Sequence, residues 1–170
     1  MTTRPADPLT AKKALVDALL GKLEGELANM RRAAKDAREA ATHEEAKPEN
    51  DKDTRALEAS YLAGAQAARV RDLEQSIKGI GAMALLDLAG KIVQASAVLA
   101  LEDEDGDTTL FFYAPLGGGN ALVVPALSSP VQVLTPQSPM GAAVLGKSKG
   151  DVIELRVKGK PRELTLVDVW

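Results

Sequence analysis

The sequence predicts an α+β protein: a long antiparallel coiled-coil helical hairpin, then a small antiparallel β domain with one short helix. Three observations predict it. Two stretches in the first half carry apolar residues in alternating steps of three and four. An acidic, proline-containing segment separates them, and after about residue 90 the apolar pattern shortens to strand-length runs.

The first helix follows from Val16, Leu20, Leu23, Leu27, Met30, Ala34, Ala37 and Ala41, a heptad seam without a miss. Thr10 is the expected N-cap, and Pro48 stops helix continuation. At 1.5 Å per residue the helix would be about 50 Å long. A second seam runs Ala56, Ala59, Ala63, Gln66, Val70, Leu73, Ile77 and Ile80. Both seams shrink to alanine beside "EEAKPENDKDTR" (44–55) and enlarge away from it. An antiparallel pair within one chain would match small against small and large against large. The competing arrangement is a parallel dimer.

The second half changes period. Residues 91–102, 108–115, 120–124, 130–135, 151–157 and 162–169 read as short strands. Between the fourth and fifth, Ser138 as N-cap, Pro139 in the first turn and Gly146 as stop define one short helix. The expected division is therefore 1–90 for the hairpin, with its tip at about 44–53, and 91–170 for the β domain.

Composition narrows the chemistry. Of 170 residues, 45% are apolar but only five are Phe, Tyr or Trp, which argues against a deep aromatic-lined pocket. With no cysteine there is no disulfide framework, thiolate zinc site or thiol nucleophile. The opening "MTTRPADPLTAKK" lacks a signal peptide's apolar stretch and no run approaches a membrane span, so a cytoplasmic protein with no membrane association is expected. The net charge of −3 averages over local clusters and says little about nucleic acid.

Several motifs resolve to ordinary structure. "EDEDGD" (102–107) fails EF-hand spacing, and Asp105-Gly106 is a hairpin turn signal. "GGG" (117–119) lacks phosphate-binding spacing and reads as a flexible loop. His43, the only histidine, cannot anchor zinc alone. Arg31, Arg32, Lys35 and Arg38 read as a charged coiled-coil face or as a short phosphate contact. No aromatics interleave with them to stack bases.

The acidic turn differs. Glu44, Glu45, Glu49, Asp51 and Asp53 repel one another where a neutral loop would connect equally well. Carboxylates on a projecting arm suit the delivery of oxygen ligands to a divalent cation held elsewhere; Mg²⁺ is commonly bound by one or two carboxylates plus a phosphate.

A long hairpin with an acidic tip, followed by "SPMGAAVLGKSKGD" (138–151), resembles the bacterial Gre transcript cleavage factors. Ser138, Pro139, Met140, Leu145, Gly146, Lys147, Gly150 and Asp151 match the signature of that family's FKBP-like domain. The resemblance implies a transcription elongation factor that is not itself an enzyme, whose hairpin enters the secondary channel of bacterial RNA polymerase as a monomer. It implies no cofactor of its own but a Mg²⁺ shared with the polymerase, held with the help of Glu49, Asp51 and Asp53, so that the backtracked RNA 3′ end is cut. It further implies docking through Ser138, Pro139, Gly146 and Lys147, and RNA contact by Arg31, Lys35 and Arg38. The family's tip reads D-L-x-E-N-A-E-Y, and alignment backwards from "RVRDLEQSI" places Glu49 at the first acid and Lys52 at the second. Two other readings accompany this one: a channel-binding regulator that does not cleave, and a standalone FKBP-like interaction module.

Overall fold

In a computed structural model, residues 4–42, 54–157 and 159–170 are described. The elements in order are α1 (Pro8–Thr42), α2 (Thr54–Gly81), β1 (Val98–Glu102), β2 (Thr108–Tyr113), β3 (Ala121–Leu122), β4 (Val131–Leu134), α3 (Pro139–Val144), β5 (Val152–Val157) and β6 (Lys160–Val169). The α+β class holds. The chain divides into two compact units: one runs to Leu20 and resumes with Gly79–Trp170, the other is Gly21–Lys78. The structural division thus falls within the helices, whereas the sequence division fell near residue 90.

The N-cap of α1 lies three residues before the expected one. Asp7, not Thr10, takes the N-cap role: its Oδ1 accepts from the Thr10 N–H at 3.1 Å and its Oδ2 from the Thr10 hydroxyl at 2.6 Å. Pro8 follows at the first helical position, where a missing N–H costs nothing. These bonds hold the Asp7 carboxyl below its usual value, the Thr10 hydroxyl being the largest cause.

In the β unit the six strands described form one sheet in the order β3-β4-β2-β1-β6-β5. The expected all-antiparallel sheet is corrected at one place, because β2 and β4 run parallel, with Leu110 opposite Val131 and Tyr113 opposite Leu134. The connection from Ala114 onward carries β3 to the outer side of β4, so β4 returns in the direction of β2. β1 is central and antiparallel to both neighbours, with a register shift between Ala100 and Leu101. Both its faces are covered, since Val98, Leu99, Ala100 and Leu101 are all buried. One face joins Leu99 and Leu101 to Phe111, Tyr113, Leu166 and Val144 in a single core. In the same unit, Ala11, Leu15 and Leu19 of α1 are fully buried, and the ammonium of Lys12 sits 6.0 Å from the centroid of the Trp170 ring.

The first strand is shorter than its sequence pattern. Residues 91–97 leave the sheet because Ser96 takes a left-handed conformation (φ 72°) and the Ala97 N–H closes a turn onto the Gln94 carbonyl. Val93 instead pairs with the loop after α3, giving its N–H to Lys147 O and accepting from the Gly146 N–H. The β1–β2 turn follows the expectation: Gly106 has φ 82°, and Asp103 Oδ1 accepts from the N–H groups of Asp105 and Asp107.

The helical unit keeps a narrow seam. Beyond Leu20, α1 buries Leu23 and Leu27 and half-buries Met30 and Ala34; α2 half-buries Gln66, Val70, Leu73 and Ile77. Arg31 of α1 pairs with Glu74 of α2 at 2.5 Å. No helix among the described residues is long and apolar enough to cross a membrane.

Candidate functional site

The segment 138–151 is built as its residues dictate. Ser138 sits in extended backbone (φ −78°, ψ 146°), and its Oγ accepts from the Gly141 N–H at 2.9 Å. The same hydroxyl donates to the Thr135 carbonyl at 2.9 Å, so it both caps α3 and ties it to the end of β4. Gly141 is required here: a Cβ would lie 1.9 Å from Thr135 O. Gly146 ends the helix at φ 75°, a conformation that glycine adopts without a Cβ clash. Asp151 closes the next turn, its Oδ2 accepting from the Ser148 N–H at 2.8 Å and its N–H donating to Ser148 O. The backbone of Lys147 is bonded on both sides, to Val144 O and from the Val93 N–H, while Leu145 beside it is half exposed. The structure therefore brings Ser138, Pro139, Gly146 and Lys147 together on one capped helix and the loop that leaves it.

Beside α3 lies a groove of about 1050 Å³, lined by Phe111, Met140, Leu155, Gln132, Arg156 and the 117–119 loop, with Ser138 and Pro139 at its edge. The expected flexible glycine loop is pinned. Asn120 Nδ2 donates to Gly117 O, the Gly119 N–H to Val133 O, and a Cβ at Gly118 would meet Thr135 Cγ2 at 2.9 Å. Gly118 is there because the loop lies directly against Thr135, whereas Gly117 and Gly119 take left-handed conformations, with φ 83° and 84°.

Arg31, Lys35 and Arg38 all lie exposed on α1. Arg31 is engaged by Glu74 and Lys35 lies 3.6 Å from Glu39 one turn on, so both already serve intramolecular ion pairs. Glu49, Asp51 and Asp53, like His43, lie outside the described residues. Among the described residues, no group of three or more His, Cys, Asp or Glu could hold a metal ion.

Sequence reasoning missed Lys12. It is fully buried, and its Nζ donates to the Leu86 carbonyl at 2.6 Å. The Leu86 N–H in turn donates to Ser96 Oγ at 3.0 Å, so one residue's backbone is held from both sides. Burial pushes the ammonium down to about 8; the Asp87 carboxylate opposes that shift and Arg4 adds to it. The signal was present in Ala11, Leu15, Val16 and Leu19, which surround position 12 with a face wider than a coiled-coil seam.

No protein-family model matches the chain, and no curated protein matches it. Among solved structures it is similar to GreA factor homolog 1 (Gfh1) of Thermus thermophilus, with 23% identity, coverage of 90% of this chain and 95% of that one, and a TM-score of 0.38. A second structure, of the transcription factor Gfh1, matches at 25% identity over 92% of this chain and 94% of that one, with a TM-score of 0.39. The GreA/GreB elongation factor of Nitrosomonas europaea matches at 13% identity over 57% of this chain and 78% of that one, with a TM-score of 0.33. In these matches the chain is similar to Gre-type transcription factors.

Proposed function

We propose that the chain is an accessory factor of bacterial RNA polymerase. In this reading it enters the secondary channel with its helical hairpin, docks through the FKBP-like β unit, and stimulates cleavage of backtracked RNA. The observation that carries the reading is the segment "SPMGAAVLGKSKGD": its signature residues Ser138, Pro139, Gly146 and Asp151 each hold a position that their chemistry explains, on a loop beside an accessible groove.

The division of labour follows from two-metal chemistry. A pair of metal ions stabilises both the attacking and the leaving oxygen of an in-line displacement, so a protein that only adds carboxylates can awaken cleavage in another enzyme. Glu49, Asp51 and Asp53 are the residues assigned to Mg²⁺, and Arg31, Lys35 and Arg38 to the RNA. The protein acts as a monomer in the cytoplasm and carries no cofactor of its own.

A second reading rests on Lys52, which occupies the tip position where the Gre pattern has its second acid. A cation there favours a channel-binding regulator that acts by occupancy.

One experiment separates them. Core RNA polymerase is captured on the immobilised protein, and backtracked complexes are then assayed for RNA cleavage across a Mg²⁺ series. The variant Glu49→Gln, Asp51→Asn, Asp53→Asn should keep capture and lose cleavage. Capture with no acceleration by the wild type at any Mg²⁺ concentration leaves the regulator reading; absence of capture overturns both.

A further inference from the structure

The sheet ends on β5, and the outer side of that strand is open. β5 stands last in the strand order, and no backbone bond reaches its outer side among the described residues. Its register with β6 runs without a shift from Val152 opposite Thr165 to Val157 opposite Lys160. The Leu166 N–H donates to Asp151 O, so the ladder begins with a bonded pair at Asp151 and Leu166. Antiparallel ladders alternate bonded pairs with pairs whose backbone groups point away. Ile153 and Leu155 therefore bond to β6, whereas Val152, Glu154 and Arg156 turn their N–H and C=O groups outward. Pro161 stands opposite Arg156, where no N–H is required of it.

The side chains alternate as well. Ile153 lies in the core and Leu155 packs against it, as do Met140 and Ala143 of α3, so the helix covers that face rather than the edge. Val152, Glu154 and Arg156 share the other face, and all three are exposed. Glu154 stands directly opposite Glu163, which is also exposed. Among the described residues neither carboxylate has an ion pair, and neither does Arg156. Like charges placed opposite one another destabilise a sheet. Edge strands are commonly kept from pairing by bulges or by charge. β5 has no register shift, and its two charges are opposite in sign and two residues apart.

Backbone and charge together select one complement. In an antiparallel copy of β5 centred on Leu155, the outward groups of Glu154 meet those of Arg156, and each such pair exchanges both of its N–H···O bonds. Glu154 then lies between Glu163 of its own chain and a cation of the copy, which offsets the like-charge pair. The register centred on Glu154 would instead set that carboxylate against itself.

We propose that β5 is a self-pairing edge: two copies of this chain join through antiparallel β5 strands, in the register that sets Glu154 opposite the partner's Arg156. The proposal goes beyond the polymerase reading, which concerns a single copy on polymerase, and polymerase capture and self-association are measured separately.

The test is sedimentation equilibrium of the full chain from micromolar to millimolar concentration, together with hydrogen exchange of its backbone amides. The wild type should form a concentration-dependent dimer, and the Glu154 and Arg156 amides should exchange more slowly as the dimer fraction rises. Glu154→Arg and Arg156→Glu, both exposed substitutions, should each weaken the dimer about tenfold, since both symmetric pairs turn from opposite to like charge. Mixed in equal amounts, the two variants should associate with each other about as tightly as the wild type does with itself. The chain carrying both substitutions should also dimerise. Four results would each overturn the proposal: a monomer up to millimolar concentration, a dimer whose Glu154 and Arg156 amides gain no protection, single variants that dimerise like the wild type, or a mixture that fails to associate. Should a variant not fold, the protection of the wild-type amides decides alone.

Discussion

Up to Leu20, α1 buries Ala11, Lys12, Leu15, Val16 and Leu19, a broad face of the kind a globular core requires. After Gly21 the same helix buries only Leu23 and Leu27 and half-buries Met30 and Ala34, the narrow seam of a coiled coil. The backbone is continuous and the environment is not. Helical periodicity alone extends one seam through both halves; the width of the apolar stripe is what distinguishes them. It changes where the chain passes from one compact unit to the other.

The largest contrast should come from truncating apolar side chains on either side of that change. Leu15 is fully buried, so Leu15→Ala should cost about 2–5 kcal/mol of unfolding free energy. Met30→Ala, at a half-buried seam position, should cost well under half as much. Urea unfolding of the two variants measures this, and equal costs would erase the distinction between the two stretches.

The next effect concerns the cation in the broad face. Lys12 titrates at about 8 in the folded protein, against 10.5 for a lysine free in water. Between these values the unfolded chain binds the extra proton, so stability should rise as pH rises from about 8 to 10.5. Across that window each step of one in pH is worth at most about 1.4 kcal/mol. Residual solvent screening lowers this, so the gain should be about 1–2 kcal/mol. Lys12→Met should flatten that part of the stability–pH curve. A wild-type curve that falls across the window would refute the assignment.

A smaller effect lies within the sheet's own core. The Tyr113 hydroxyl is buried with no hydrogen-bond partner among the described residues, and burial pushes its pKa upward. Tyr113→Phe removes an unsatisfied polar group and keeps the ring, so it should raise stability by about 1 kcal/mol. A drop in melting temperature would mean that the oxygen has a partner.

The smallest effect belongs to the narrow seam. Arg31 and Glu74 are paired but largely open to water, at 60% and 35% side-chain exposure. Glu74→Gln should cost no more than about 0.5 kcal/mol, and the difference should vanish in about 1 M salt.

Much of this architecture was legible in the chain. The two helices, the Asp105-Gly106 turn and α3 with its Ser138 cap and Gly146 stop lie where local chemistry places them, because caps and turns are settled by a few neighbouring residues. What was not legible depends on distant partners. Lys12 reads as polar surface until Leu86 and Trp170 close over it. Residues 91–97 read as strand until Ser96 turns and Val93 pairs with the loop at 146–147. The parallel pairing of β2 with β4 depends on where β3 is laid down, which no local pattern states. Of the candidate site, the docking residues could be followed into the structure, whereas the tip acids lie outside the described residues.

The hydrogen bond from Lys12 to Leu86 and the approach of Lys12 to Trp170 span 74 and 158 positions of sequence. Such closures are slow, because chain entropy is lost before any contact repays it. On the ribosome, Ala11, Lys12, Leu15 and Leu19 are made well before Trp170, whose ring lies 6.0 Å from the Lys12 ammonium. The helical unit, Gly21–Lys78, is a continuous stretch and can assemble from neighbours already made. The β unit must hold its opening turns in reserve until β6 arrives. A nascent chain halted before β6 would therefore leave Lys12 without the Trp170 ring and β1 without its second neighbour.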